Sequence, residues 1–155
     1  MQASDTIAAL STAPGVGAIA LLRLSGPKAY PVVERLAPSL PLEPLARHAY
    51  FVPVIDLDGQ IDEAVITFFP GPNSYTGEDV VEVSVHGSTY IQQRVLQAML
   101  DAGARTALPG EFTQRACENG KLDLVQAEGL MALVHAQSQA RTHEPSGRRG
   151  SGSDR

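Results

Sequence analysis

The sequence predicts an α+β fold, with a mixed or mostly antiparallel sheet and flanking helices. Apolar residues alternate with period two in short runs, which is typical of half-buried strands. A strong turn signal joins two of these runs and favours antiparallel pairing. Helical spacing of apolar residues returns at irregular intervals, so strands and helices do not alternate as they would around a parallel sheet.

Two Ile- and Leu-rich runs, residues 6–11 and 18–24, predict the first strands, and the turn TAPGVG between them suggests that they pair. Gly15, Gly17 and Ala20 imitate a dinucleotide-binding fingerprint. That fingerprint must open a helix, whereas the residues that follow it here predict a strand. A Rossmann-type site is therefore not expected.

A first helix is predicted after the second strand. Ser25 and Pro27 suit its N-terminus, because Ser is a preferred N-cap and Pro is tolerated in a first turn. Its apolar positions are Val32, Val33 and Leu36. The proline-rich segment SLPLEPLA then leads to the next strand.

Residues 48–55 and 61–69 predict an antiparallel hairpin, since Asp58 and Gly59 between them are strong turn residues. This is the clearest local pattern in the chain. The next ten residues, PGPNSYTGED at 70–79, combine two prolines with two glycines and are predicted to form a shaped loop.

The strand after this loop alternates between two faces. Its valines point one way and its polar residues the other: Val81, Val83 and Val85 against Glu82, Ser84 and His86. A carboxylate is therefore expected on the polar face of the sheet. Residues 88–102 return to helical spacing before Gly103. Ile91, Val95, Leu96 and Met99 are predicted to face inward, and Gln92, Gln93, Arg94 and Gln97 outward.

The segment PGEFTQRACENGKLDLVQAE, residues 109–128, predicts two further helices. Pro109 favours the first turn of the earlier helix, and Asn119 and Gly120 favour its end. Lys121 is then expected to be exposed at the break between the two helices.

Asp123 and Gln126 form a capping-box pattern that predicts the start of a longer helix at about Leu124. The apolar side of this helix consists of Ala127, Leu130, Met131 and Val134. We expect the helix to break off at about Ala140, which would leave this side without a helical bundle to pack against. Residues 141–155 contain no aliphatic or aromatic side chain and are predicted to be disordered.

Composition and charge restrict the possible functions. The net charge is −5, and residues 1–140 carry about −7, so this part is not expected to bind RNA through charge alone. A single Cys117 and four scattered histidines predict neither a disulfide nor a metal site. Cys117 is expected to be a packed residue, and a reducing cytoplasm fits. Neither a signal peptide nor a membrane span is predicted.

A phosphate-binding loop is not expected. Lys121 follows Gly120, but Arg115 and Leu122 stand where the GxxxxGK[ST] pattern requires Gly and Ser or Thr. We therefore predict that these residues form no GTP site.

Three segments resemble, in order, blocks of the tRNA-modification GTPase family called MnmE or TrmE. They are DTIAALSTAPGVGAIALLRLSGP at 5–27, FFPGPNSYTGEDVVEVSVHG at 68–87, and the segment at 109–128 quoted above. The resemblance covers about residues 5–140. It implies the family's N-terminal domain over 1–120, the start of its helical domain over 121–140, and a tail over 141–155, without the family's GTPase domain or its C-terminal cysteine.

The resemblance implies that this domain binds 5-formyltetrahydrofolate, the presumed one-carbon donor for modifying the wobble uridine of certain tRNAs, and that it forms a homodimer. The family's other partners are tRNA and the flavoprotein MnmG, or GidA. Arg23, Glu82 and Lys121 match the family's folate-contacting positions. A carboxylate can accept two N–H groups of a pterin, which assigns Glu82 to that ring, and cations suit the anionic glutamate tail.

Three interpretations follow from the sequence. The first is a truncated MnmE-like chain that binds folate and dimerises without GTPase activity of its own. The second is a freestanding folate-dependent one-carbon transferase, although no nucleophile or general base with a partner supports it. The third is a non-functional fragment of an interrupted gene.

Overall fold

One mixed sheet of six strands organises the structure, a computed structural model that describes residues 5–142. The elements in chain order are β1 (Ile7–Leu10), β2 (Ile19–Ser25), α1 (Ala29–Leu36), β3 (Ala49–Asp56), β4 (Gly59–Phe69), β5 (Val80–His86), α2 (Thr89–Asp101), β6 (Arg105–Thr106), α3 (Glu111–Glu118) and α4 (Leu124–Thr142). The strand order is β3-β4-β5-β2-β1-β6. Neighbouring strands are antiparallel except for β1 and β6, which are parallel. The predicted α+β class is confirmed.

The predicted hairpin is present and has a tight turn. Asp56 pairs with Gly59, so Leu57 and Asp58 are the two turn residues between β3 and β4. Gly59 has a φ of 114°, a conformation that residues with a Cβ rarely adopt. The predicted pairing of the first two strands is also confirmed, since β1 and β2 run antiparallel.

Helices α1 and α2 cover one face of the sheet and enclose the core. Most residues predicted to point inward are buried there: Val32, Val33 and Leu36 of α1, Val81, Val83 and Val85 of β5, and Val95 and Met99 of α2. Ile91 and Leu96 of α2, also predicted to point inward, are partly buried against the same core. Burying an aliphatic side chain of this size contributes about 1.5–3 kcal/mol. Ser88 caps α2, because its hydroxyl accepts from the backbone N–H of Ile91 at 3.1 Å.

The opposite face of the sheet is open over its central strands. Residues directly opposite each other on antiparallel strands share a face. One row across four strands consists of Phe51, Val65, Ser84 and Leu21, and the next row contains Thr67, Glu82 and Arg23. Phe51 is 69% exposed and Val65 is 39% exposed. The candidate residues Arg23 and Glu82 therefore lie beside an uncovered apolar row.

Two local predictions are wrong, each because a distant contact outweighs a local pattern, and one short strand was not predicted. Ser25 does not cap α1; it ends β2, and its hydroxyl contacts Thr76 and Glu78. Gln92 was expected to face solvent but is 8% exposed, since its amide donates to backbone oxygens of the β1–β2 turn and of Gly87. Strand β6 was not predicted, because two residues carry no periodicity.

Both helices predicted near the end of the chain are present. Asp123 Oδ1 accepts from the backbone N–H of Gln126 at 2.7 Å, and Gln126 Oε1 accepts from the backbone N–H of Asp123 at 3.2 Å. This reciprocal pair is the predicted capping box. Gly120 has a φ of 71° and lies just beyond the end of α3, as expected.

The apolar side of α4 is partly covered by the start of α3, and Leu130, Met131 and Val134 are half-buried. A Cβ placed on Gly110 would lie 2.4 Å from Sδ of Met131 and 3.8 Å from Val134, so both side chains pack against the start of α3. Helix α4 reaches Thr142, two residues beyond the expected break, and the rest of the predicted tail lies outside the described residues. Among residues 5–142, no helix has both the length and the apolar character that a membrane crossing requires.

Candidate functional site

Arg23 and Glu82 meet on the open face of the sheet. They stand directly opposite each other on β2 and β5, and Arg23 Nη2 donates to Glu82 Oε1 at 3.0 Å. Their side chains are 21% and 27% exposed, so the ion pair is partly shielded from water. The structure thus brings together two of the three predicted site residues, and one carboxylate oxygen of Glu82 already has a partner.

Two aromatic rings lie beside the guanidinium of Arg23. Its Cζ is 5.3 Å from the ring centroid of Tyr75 and 5.7 Å from that of Phe112, within the range of cation–π attraction. Tyr75 belongs to the 70–79 loop and Phe112 to α3. The Tyr75 hydroxyl is 2.9 Å from Oγ1 of Thr113, which joins the loop to the helix.

Lys121 is not part of the ion pair between Arg23 and Glu82. It is exposed after the end of α3, and its backbone N–H donates to the carbonyl of Ala116 at 2.8 Å. Helix α3 ends at Glu118, so Lys121 lies three residues beyond it. Among the contacts of the described residues, its ammonium group makes no hydrogen bond or ion pair with Arg23 or Glu82.

The 70–79 loop is held closely against the end of α3. Gly77 has a φ of 82°, and a Cβ there would lie 2.8 Å from Cβ of Asn119, so this close approach requires a glycine. Asn119 Nδ2 donates to the carbonyl of Thr76 at 2.8 Å. At the other end of the loop, Asp79 Oδ1 accepts from the backbone N–H of Gly71 at 2.9 Å. These contacts fix the loop that carries Tyr75.

Arg115 of α3 anchors this arrangement from inside the protein. It is 6% exposed, and its guanidinium donates to Glu78 Oε1 at 3.0 Å and to Glu111 Oε2 at 3.3 Å. It also donates to the backbone oxygens of Asp5 and Ser25. One buried cation therefore connects α3 to the loop, to the end of β2 and to the start of the chain.

Glu111 is the other centre of the network. Arg105 donates to both of its carboxylate oxygens, at 2.6 and 2.9 Å, and the backbone N–H of Leu108 donates to Oε1 at 2.9 Å. The hydrogen bonds from Arg105 lower the pKa of Glu111 to about 2, although burial acts in the opposite direction. The same bonds raise the pKa of Arg105.

These contacts join the three sequence segments noted above. Asp5 and Ser25 come from the first, Thr76 and Glu78 from the second, and Glu111, Arg115 and Asn119 from the third. Sequence reasoning selected Arg23, Glu82 and Lys121 but missed the roles of Tyr75, Phe112 and Arg115. All three missed residues lie inside the quoted segments, so the segments themselves were the available signal.

Acid should weaken the fold through Glu111. Its folded pKa of about 2 lies below its ordinary value of 4.5, so its stabilising contribution is complete above about pH 4.5 and is lost as the pH falls toward 2. At about 1.4 kcal/mol per pKa unit this amounts to about 3 kcal/mol before screening, and to about 2 kcal/mol because Arg105 is partly exposed. Urea unfolding at a series of pH values measures the effect. Glu111→Gln should flatten the curve below pH 4.5; equal slopes for both proteins would contradict the assignment.

A cavity of about 330 Å³ lies on the helical side of the sheet. Leu36, Ile55 and Ala98 contribute to its lining, together with Asp56 at the hairpin turn. Arg94 of α2 donates to both carboxylate oxygens of Asp56, at 2.6 and 2.9 Å, and these bonds lower the pKa of Asp56. Neither Arg23 nor Glu82 lines this cavity.

The requirements of a metal site are not met among the described residues. Within residues 5–142, no group of three or more His, Cys, Asp and Glu side chains is placed to hold a metal. Cys117 is partly buried and has no disulfide partner. The Arg23–Glu82 pair instead presents a cation next to a carboxylate, beside two aromatic rings.

Comparison with known proteins yields consistent matches. A family model described as the GTP-binding protein TrmE N-terminus matches residues 6–121. Several curated relatives carry the name tRNA modification GTPase MnmE. The one from Myxococcus xanthus is 51% identical over 141 residues, which cover 90% of this chain and 32% of the relative.

Two further relatives of the same name give similar values. The protein from Acinetobacter baylyi is 50% identical over 142 residues, covering 90% of this chain and 30% of the relative. The protein from Opitutus terrae is 53% identical over 135 residues, covering 86% and 29%. The chain thus spans about three tenths of the length of these relatives.

Proposed function

We propose a function on the basis of the family to which this chain belongs, that of the TrmE N-terminal domains. In this proposal the chain is the folate-binding module of an MnmE-type protein that modifies the wobble uridine of tRNA. Its ligand is 5-formyltetrahydrofolate. The observation that supports this role is the Arg23–Glu82 pair, which stands on an open sheet face between Tyr75 and Phe112.

The pair offers the groups that a pterin requires. A pterin presents a 2-amino group and a ring N–H in one plane, next to a carbonyl oxygen. Glu82 has an oxygen that makes no hydrogen bond to Arg23 and can accept N–H groups, while Arg23 can donate to an oxygen. Lys121 is exposed and suits the anionic glutamate tail, which extends away from the ring.

Dimerisation is the second part of the proposal. Phe51 and Val65 form an exposed apolar row beside the candidate site, and Ile19 on the same face is 64% exposed. A second copy of this chain would remove these side chains from water. Light scattering coupled to gel filtration measures the mass, and a clean monomer at tens of micromolar would contradict the dimer.

We propose tRNA and MnmG as partners of the full-length MnmE-type protein. Residues 1–140 carry a net charge of about −7, and neutralising phosphates requires Lys and Arg side chains. We therefore assign tRNA contact to surfaces beyond this domain, and folate presentation to the domain itself.

Isothermal titration calorimetry with 5-formyltetrahydrofolate tests the proposed function. We expect saturable binding by the parent protein. Lys121→Ala should weaken it less than tenfold, because an exposed ion pair is worth about 0–1 kcal/mol. Gln114→Ala, an exposed change on α3, is the control and should bind like the parent. No binding by a protein whose circular dichroism shows that it is folded would reject the site.

A further inference from the structure

One polar atom of the candidate site is buried without a partner. The Nε of Arg23 has essentially no accessible surface and makes no hydrogen bond, and it is the one buried side-chain nitrogen or oxygen of this kind among the described residues. Leaving such a donor unpaired costs free energy, so each case calls for an explanation. The neighbouring Nη2 has a partner in Glu82.

The two aromatic rings account for the shielding. Tyr75 and Phe112 both lie within 6 Å of the guanidinium, where their π-electrons attract the cation and their carbons exclude water. Attraction by a ring offsets part of the loss of hydration but gives Nε no acceptor. The Nε–H of Arg23 is therefore shielded from water and makes no hydrogen bond.

The rings differ in how firmly they are held. Phe112 lies on α3, next to Thr113 and three residues before Arg115, whose buried ion pairs fix the helix. The loop around Tyr75 is held by the contacts described above, but the Tyr75 side chain is 39% exposed and is joined to α3 by its hydroxyl contact with Thr113. Movement of the Tyr75 ring is the less costly way to uncover Nε.

We propose that Tyr75 and Phe112 are positioning residues that reserve the Nε–H of Arg23 for an oxygen atom of the ligand, and that Tyr75 moves aside when the ligand binds. The inference rests on the proposed folate site. The ligand class is a planar heterocycle with a carbonyl oxygen next to an N–H group, so that the oxygen accepts from Arg23 and the N–H donates to Glu82. Binding pairs the unused donor and favours ligands that carry such an oxygen.

Nuclear magnetic resonance of the arginine Nε–Hε groups tests the inference in the ¹⁵N-labelled full chain. Arg23→Lys assigns the Arg23 resonance, because it removes this signal alone while keeping a positive charge. On titration with 5-formyltetrahydrofolate, we expect that resonance to shift and its exchange with water to slow. Tyr75→Leu and Phe112→Leu should both move the resonance in the free protein. Phe112→Leu should weaken affinity by about tenfold, the scale of a shielded cation–π contact, because that ring stays beside the guanidinium in the complex. Tyr75→Leu should not weaken affinity, because the Tyr75 ring of the parent leaves the guanidinium on binding.

Tyr75→Phe is the matched control, because it keeps the ring and removes only the hydroxyl. It should leave affinity within about threefold of the parent. Ligand binding that leaves the Arg23 resonance unmoved would overturn this inference and leave the folate site intact. A Phe112→Leu protein that binds as tightly as the parent, or a Tyr75→Leu protein that binds about tenfold more weakly, would also overturn it. A folded parent that binds no folate would overturn both proposals.

Discussion

Replacing Glu82 with alanine is expected to weaken 5-formyltetrahydrofolate binding by about two orders of magnitude. The carboxylate supplies charge-assisted hydrogen bonds to the ligand, each worth about 1.5–3 kcal/mol, and every 1.4 kcal/mol is about tenfold in affinity. The substitution also removes the partner of Arg23 Nη2, which leaves that guanidinium partly shielded and without its carboxylate. Both effects act in the same direction.

The measurement is calorimetry on parent and variant, with circular dichroism to confirm folding. Glu63→Ala is a matched control, since Glu63 is an exposed carboxylate on the same face of the sheet, on β4. It should bind like the parent. Glu82→Gln keeps an oxygen acceptor without the charge, so its affinity should lie between those of the parent and Glu82→Ala. Equal affinities for Glu82→Ala and the parent would remove Glu82 from the site.

Local sequence patterns were sufficient for most of the fold. The hairpin turn at Asp58 and Gly59, the alternation along β5 and the capping box at Asp123 depend on residues within a few positions of one another. The residues that specify such a feature lie within the feature itself. The sequence therefore predicts them without knowledge of the tertiary structure.

Predictions failed where a side chain has a distant partner. Ser25 matches an N-cap pattern, yet its hydroxyl contacts residues about fifty positions away in the 70–79 loop. Gln92 falls on the polar side of α2 but is buried because backbone oxygens accept from its amide. A polar residue is buried when such a partner satisfies it, and no local pattern reports that partner.

The candidate site was likewise predicted only in part from the sequence. Arg23 and Glu82 were selected because they lie in family-like segments, and their strand register places them opposite each other. Tyr75 and Phe112 come from a loop and a helix, and only the tertiary structure places them beside Arg23. The hydrogen bonds of Arg115, which hold both elements, join residues up to 110 positions apart.

The sheet and the site are coupled through α3. Phe112 lies beside Arg23, while Arg115 on the same helix bonds to the carboxylates of Glu78 and Glu111. A change that loosens α3 should therefore affect ligand binding as well as stability. This makes Arg115 the residue whose loss should have the largest structural effect.

Arg115→Ala is expected to lower the free energy of unfolding by about 3–5 kcal/mol, because removing one member of a buried ion pair leaves the others buried without compensation. For a domain of this size, each 1 kcal/mol corresponds to about 2–4 °C, so Tm should fall by about 6–20 °C. Arg115→Lys keeps the charge but loses the forked geometry and should fall in between. The control is Gln114→Ala, an exposed neighbour on α3 that should stay within about 0.5 kcal/mol of the parent. Urea and thermal unfolding measure both quantities; an Arg115→Ala protein as stable as the Gln114→Ala control would show that α3 is held mainly by its apolar contacts.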